Sequence, residues 1–123
     1  MDIRLSDAEL EVMEVLWSAS RPLSATDVAA GITDEREWTL ATVKTLLSRL
    51  LGKDAIEPAR DGRRFLYSPR IARGDYVGAE SRRFVDRLFG GRLSPLIAQL
   101  ADGEALDEAE IAEIEALLKQ LKS

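Results

Sequence analysis

Val43, Leu46, Leu47, Leu50 and Leu51 stand at i, i+3, i+4, i+7 and i+8, a spacing that lines these branched side chains along one side of an α-helix. Such a helix is stable only against other apolar surface. This segment, predicted over residues 40–53 with Thr39 as N-cap, therefore lies at the centre of a core. The same constraint decides what faces outward. With about 100° between successive side chains, Ala41, Thr45, Ser48 and Arg49 fall opposite the stripe, flanked by Thr42 and Lys44. A solvated helix face more often carries Glu and Lys four apart. This face is small, polar and basic, a mixture suited to entering a major groove and bonding base edges.

The neighbouring segments supply partners for the stripe. Ser6-Asp7-Ala8-Glu9 has the form of a capping box, and Leu10, Met13, Leu16 and Trp17 follow at helical spacing, predicting a helix over about 7–19. Arg21-Pro22 ends it, and Ser24-Ala25-Thr26-Asp27 opens a short second helix closed by Gly31 or by the polar run Thr33 to Glu37. After the third helix come two strand-like runs, 55–60 and 63–68, joined by Asp61-Gly62, a dipeptide favoured in type I′ turns. Pro58 restricts the first run to an edge or a bulge. Arg60, Arg63 and Arg64 flank the turn, with Phe65 and Tyr67 expected to alternate inward. Three helices followed by a basic-tipped hairpin is the order of a winged helix-turn-helix.

Further helices are predicted over about 73–89, from Ser94-Pro95 to Ala101, and from Asp107 onward. In the last, Ile111, Ile114, Leu118 and Leu121 alternate steps of three and four with Leu117 beside them, as in a pairing helix. Two heptads are too few to dimerise alone, so Phe84, Leu88, Leu96 and Leu100 are expected to join the seam.

The chain has no cysteine and no histidine, which excludes disulfides and thiolate metal sites and removes the commonest general base. No metal or cofactor is expected. Trp17 and Trp38 adjoin helix-pattern residues and are assigned to the core. Glu113 and Glu115 are two apart and share no helix face, so the acidic run of Glu108, Glu110, Glu113 and Glu115 reads as solvated surface. Neither a signal peptide nor a run of about 20 apolar residues is present, and a cytoplasmic protein is expected. The net charge of −5 is unevenly placed. Residues 1–40, 41–73 and 74–123 carry −6, +5 and −4, so one basic segment lies between two acidic ones.

The run Leu5 to Trp17, the hairpin ending Phe65-Leu66-Tyr67 and above all Trp38-Thr39-Leu40-Ala41-Thr42-Val43-Lys44-Thr45-Leu46-Leu47-Ser48-Arg49-Leu50 resemble the penicillinase-repressor family (BlaI/MecI type). The resemblance implies a homodimer that holds a palindromic operator, with Ala41, Thr42, Lys44, Thr45 and Arg49 at DNA-facing positions. It also implies a sensor protease as an induction partner. The matching place for the Asn-Phe bond cut in β-lactam-responsive members is here Gln99-Leu100. The cysteine cluster of copper-responsive relatives is absent.

The expectation is thus a mainly α, non-enzymatic repressor: a winged helix-turn-helix over 1–71 and a helical dimerisation segment over 72–123. Thr39, Ala41, Thr42, Lys44, Thr45, Ser48, Arg49, Lys53, Arg60, Arg63 and Arg64 are assigned to double-stranded DNA. Phe84, Leu88, Leu96, Leu100, Ile111, Ile114, Leu117, Leu118 and Leu121 are assigned to dimerisation. The alternative is a winged helix that serves as a protein–protein adaptor.

Overall fold

The computed structural model describes residues 3–122 of the chain. Ser6 caps α1 (Asp7–Ser18) in a reciprocal box, its hydroxyl accepting from the Glu9 N–H while the Glu9 carboxylate accepts from the Ser6 N–H. Ser24 and Asp27 repeat the arrangement at α2 (Ala25–Gly31). A 3₁₀ turn, Asp34–Arg36, leads through Glu37 in the left-handed region to α3 (Leu40–Gly52), capped by Thr39. The end of α3 is a Schellman motif with Asp54 at φ 59°: the Ala55 N–H reaches the Leu50 carbonyl and the Asp54 N–H that of Leu51.

The core forms where α3 meets α1, α2 and the hairpin. Val43, Leu46, Leu47 and Leu50 pack with Val12, Met13, Leu16, Val28 and Ile56, while Leu51 at the stripe's edge is half-buried. On α1 the inward face is Glu9, Val12, Met13 and Leu16. Leu10, expected inward, instead lines an open groove with Val15 and Ile32.

The hairpin comprises β1 (Ile56–Asp61) and β2 (Arg64–Pro69), antiparallel from Ile56 opposite Pro69 to Asp61 opposite Arg64. Its turn is Gly62-Arg63, one residue later than predicted. Gly62 takes φ 67° at the first central position, where a type II′ turn needs glycine. The shift lets Asp61 pair with Arg64 across the turn. Leu23 adds a third, one-residue rung, exchanging both backbone hydrogen bonds with Tyr67 at 2.9 and 2.7 Å. Because Tyr67 directs its backbone groups to Leu23, the opposing Pro58 loses nothing by lacking an N–H.

The chain divides into two compact units, Met1–Val77 and Gly78–Ser123. α4 (Arg73–Phe89) begins within the first, where Tyr76 is buried against Trp17 with ring centroids 6.0 Å apart. The Trp17 indole also donates to the Ile71 carbonyl at 2.9 Å, and Arg73 pairs with Glu14. In the second unit are α5 (Leu93–Asp102) and α6 (Glu108–Lys122), neither with a buried residue. Asp107 caps α6 by accepting from the Glu110 N–H. Ser94 does not cap α5; the helix starts at Leu93 and takes Ser94-Pro95 into its first turn, where proline's missing N–H has no intrahelical role.

Glu9 is 2% exposed yet charged. Its Oε1 accepts from Lys53 Nζ at 2.6 Å, and the same ammonium donates to the Arg4 carbonyl at 2.7 Å, tying the start of α1 to the end of α3. Burial raises the Glu9 pKa, but hydrogen bonds from Lys53 and Ser6 outweigh it and hold the carboxyl below its ordinary 4.5. A carboxyl depressed on folding stabilises fully above its unfolded pKa and loses that contribution as pH falls through the folded value. Lys53→Met, which strands the carboxylate, should cost about 1–3 kcal/mol in urea denaturation at neutral pH. Glu9→Gln should flatten the decline of stability below about pH 4.5. Equal acid slopes in the variant and the parent would refute the assignment.

Candidate nucleic-acid interface

Burial of one side of α3 presents the other. Ala41, Lys44, Thr45, Ser48 and Arg49 are exposed and Thr42 is half-buried, so the predicted outward face is brought together on one helix. Thr39 Oγ1 accepts the Thr42 N–H at 3.2 Å and lies 3.1 Å from the Thr42 hydroxyl, so both hydroxyls are engaged in holding the first turn. Thr45 donates its hydroxyl proton to the Ala41 carbonyl at 3.0 Å. That leaves its oxygen lone pairs to accept from an adenine or cytosine amino group, and its methyl to touch a thymine methyl. Ser48 and Arg49 supply the donors.

The hairpin cations divide into held and free. Arg64 is held by Asp61 through Nε at 3.2 Å and Nη2 at 3.0 Å, and the Arg60 guanidinium lies 4.8 Å above the Phe65 ring. Arg63, at the turn, has no side-chain partner among the described residues, and neither do Lys44 and Arg49 on α3. Between α2, α3 and the hairpin is an open concavity of about 470 Å³, with Thr26, Lys44, Arg63, Arg64 and Phe65 among its walls. Its cations face Asp27, whose carboxylate is engaged in the α2 capping box.

Two expectations need correction. Lys53 does not join the outward face, because its ammonium is committed to Glu9 and the Arg4 carbonyl. Phe65 is 43% exposed rather than inward. It shares a strand face with Tyr67, but only Tyr67, next to the Leu23 rung, reaches the core; Phe65 lies nearer the tip and serves as a platform for Arg60. Trp17 and Trp38 do pack on the core. Arg36 adds a cation–π contact with Trp38, 5.2 Å from the ring centroid, and an ion pair with Glu11.

A family profile described as "Penicillinase repressor" matches residues 5–120. The chain belongs to the penicillinase-repressor family. It is 32% identical over 120 residues to a penicillinase repressor of Bacillus licheniformis, an alignment covering 98% of this chain and 93% of that one. To the methicillin resistance regulatory protein MecI of Staphylococcus aureus strain N315 it is 28% identical over 116 residues, 94% of each chain. Among solved structures, the DNA-binding domain of the repressor BlaI aligns with a TM-score of 0.52 at 38% identity, covering 59% of this chain and 88% of that one. Monomeric Bacillus licheniformis BlaI in complex with the blaP half-operator aligns with a TM-score of 0.50, at the same identity and coverage. The winged-helix fold is thus common to this chain and to those repressor domains.

The Thr39 cap fixes where the outward face of α3 begins. Thr39→Ala should lower stability by about 1 kcal/mol, as for other N-caps. Thr39→Ser should retain most of it. Thermal denaturation of both variants decides; an unaffected alanine variant would show that the first turn is held by packing alone.

Proposed function

We propose that this family member is a transcriptional repressor that binds a two-fold symmetric operator in double-stranded DNA as a homodimer. The observation that carries the reading is that a chain of net charge −5 leaves Lys44 and Arg63 without side-chain partners in one concavity and Arg49 likewise unpartnered on the exposed side of α3. The solved BlaI–half-operator complex, 38% identical where it aligns, supports it. Arg49 and Ser48 read base edges, with Ala41, Thr42 and Thr45 shaping the groove contact. Lys44 and Arg63 meet phosphates, and Arg60 and Arg64 add charge from positions steadied by Phe65 and Asp61. No described helix is long and apolar enough to cross a membrane; the proposed binding to operator DNA supports a cytoplasmic location.

Dimerisation is the role proposed for the second unit. Phe84, Leu88, Leu100, Ile111, Leu117, Leu118 and Leu121 are exposed, and Leu96 and Ile114 are half-buried. A second copy covering this apolar surface accounts for it. A sensor protease acting at Gln99–Leu100 must first unwind the end of α5. Both carbonyls there accept hydrogen bonds, from the N–H groups of Gly103 and Ala105.

Base contacts specify and phosphate contacts position, so the two roles separate by mutation. Arg49→Ala should cost roughly 1–3 kcal/mol on the operator and relax preference at one symmetric pair of positions. Arg63→Ala should weaken operator and scrambled duplex alike and reduce the log–log salt slope by about 2 per dimer. Binding-site selection followed by titration tests both, and half-site centres should lie about 10 base pairs apart or at a multiple of that. An unchanged motif and affinity ratio with Arg49→Ala would refute α3 as the reader; a folded dimer indifferent to DNA at low salt would favour the adaptor reading. In sedimentation the parent should be dimeric at micromolar concentration and Leu118→Asp should dissociate it. A monomeric parent would refute the seam.

A further inference from the structure

The charges of α6 specify how it is covered. The helix has 15 residues and packs extensively against no other element among the described residues. Isolated helices of about this length are marginal in water. Its apolar stripe is Ile111, Ile114, Leu118 and Leu121, the last 82% exposed, with Leu117 at 60% beside it. The acidic residues Glu108, Glu110, Glu113 and Glu115 occupy the first half, and Lys119 and Lys122 the second. None of these six has an ion-pair partner among the described residues.

We propose that α6 pairs with α6 of a second copy in antiparallel orientation across the dimer axis. The proposal rests on the homodimer reading and adds its geometry. The stripe steps three, four and three residues, which reads the same in reverse. An antiparallel partner therefore layers Ile111 on Leu121 and Ile114 on Leu118 of the second copy, each β-branched side chain against a γ-branched one. On one flank Glu108 meets Lys122 of the second copy, twice by symmetry; on the other Leu117 meets Leu117 and widens the apolar contact. Glu115 beside Glu115 at the axis is the single like-charge approach. A parallel pair, whose flanks join residues five apart, sets Glu110 against Glu115 twice and forms no acid–base contact. Opposed helix dipoles favour the antiparallel pair as well.

The chain lacks cysteine, so an introduced thiol is unique. Full-length Glu108→Cys, Glu110→Cys, Glu115→Cys and Lys122→Cys variants, alone and co-refolded in pairs, are treated with a short bis-maleimide. Cross-linking of Glu108→Cys with Lys122→Cys, and of Glu115→Cys with itself, but not of Glu108→Cys with itself, is the expected result. Linkage of Glu110→Cys with Glu115→Cys, without self-linkage of Glu115→Cys, overturns the orientation. No linkage in a dimer that sediments normally overturns α6 pairing altogether, whereas a monomeric parent overturns the homodimer reading itself. Independently, Glu108→Lys should weaken the dimer on the order of 3- to 30-fold, and adding Lys122→Glu in the same chain should restore it. Additive weakening by the two changes also overturns the proposal.

Discussion

Burial of the α3 stripe is the interaction on which the rest of the first unit depends. Val43, Leu46, Leu47 and Leu50 are each at most 4% exposed. At about 1.5–3 kcal/mol for each buried aliphatic side chain, the four contribute on the order of 6–12 kcal/mol before entropy, comparable with the net stability of a small domain. A helix so anchored has no rotational freedom about its own axis. The outward face from Ala41 to Arg49 is therefore held in one orientation by the core, and a base-reading helix requires such rigid display.

Electrostatics follow from the same arrangement. The acidic residues of α1 draw in cations from elsewhere: Glu9 takes Lys53, Glu11 takes Arg36 and Glu14 takes Arg73. Asp54 and Asp61 engage Arg70 and Arg64 near the hairpin. Once these pairs are made, the cations left over on α3 and the turn are Lys44, Arg49 and Arg63 among the described residues. A net charge of −5 is thus compatible with an anionic partner. The acidic excess is elsewhere, and like charge on remote faces orients the molecule as it approaches DNA.

Local signals made much of this legible in advance. Capping boxes at Ser6 and Ser24, the α3 periodicity and the Gly62 turn each act within a few residues, and elements built on them appear within a residue or two of prediction. What escaped was long-range. The Ser6–Glu9 box announces a carboxylate near the start of α1, but no local pattern joins it to Lys53, whose charge alone suggested a phosphate contact. The Leu23–Tyr67 rung is likewise a pairing of residues distant in sequence, and it decides which hairpin aromatic reaches the core. Alternation placed Phe65 and Tyr67 on one face correctly; how far the core extends beneath that face is a tertiary property. The same holds for the start of α4, where the Trp17–Tyr76 contact and the Trp17–Ile71 hydrogen bond assign the first helical turn to the winged-helix unit.

The second unit presents the opposite physical problem. Its helices α5 and α6 bury no residue within the chain, so if a second copy covers their apolar faces, as proposed, folding and dimerisation are linked equilibria. On the proposed reading this linkage governs DNA occupancy. A dimer binds its second half-site at an effective concentration set by the tether, typically millimolar for short linkers, so loss of pairing removes orders of magnitude of affinity without disturbing α3. Regulation can therefore act on the second unit and leave the reading surface intact. On the same reading the Gln99–Leu100 bond would fit that position: it lies in the last turn of α5, a helix that buries no residue, and local opening there must break the hydrogen bonds that its two carbonyls accept. On the proposed reading, control of release resides in helices that bury no residue, and specificity in a helix anchored by the core.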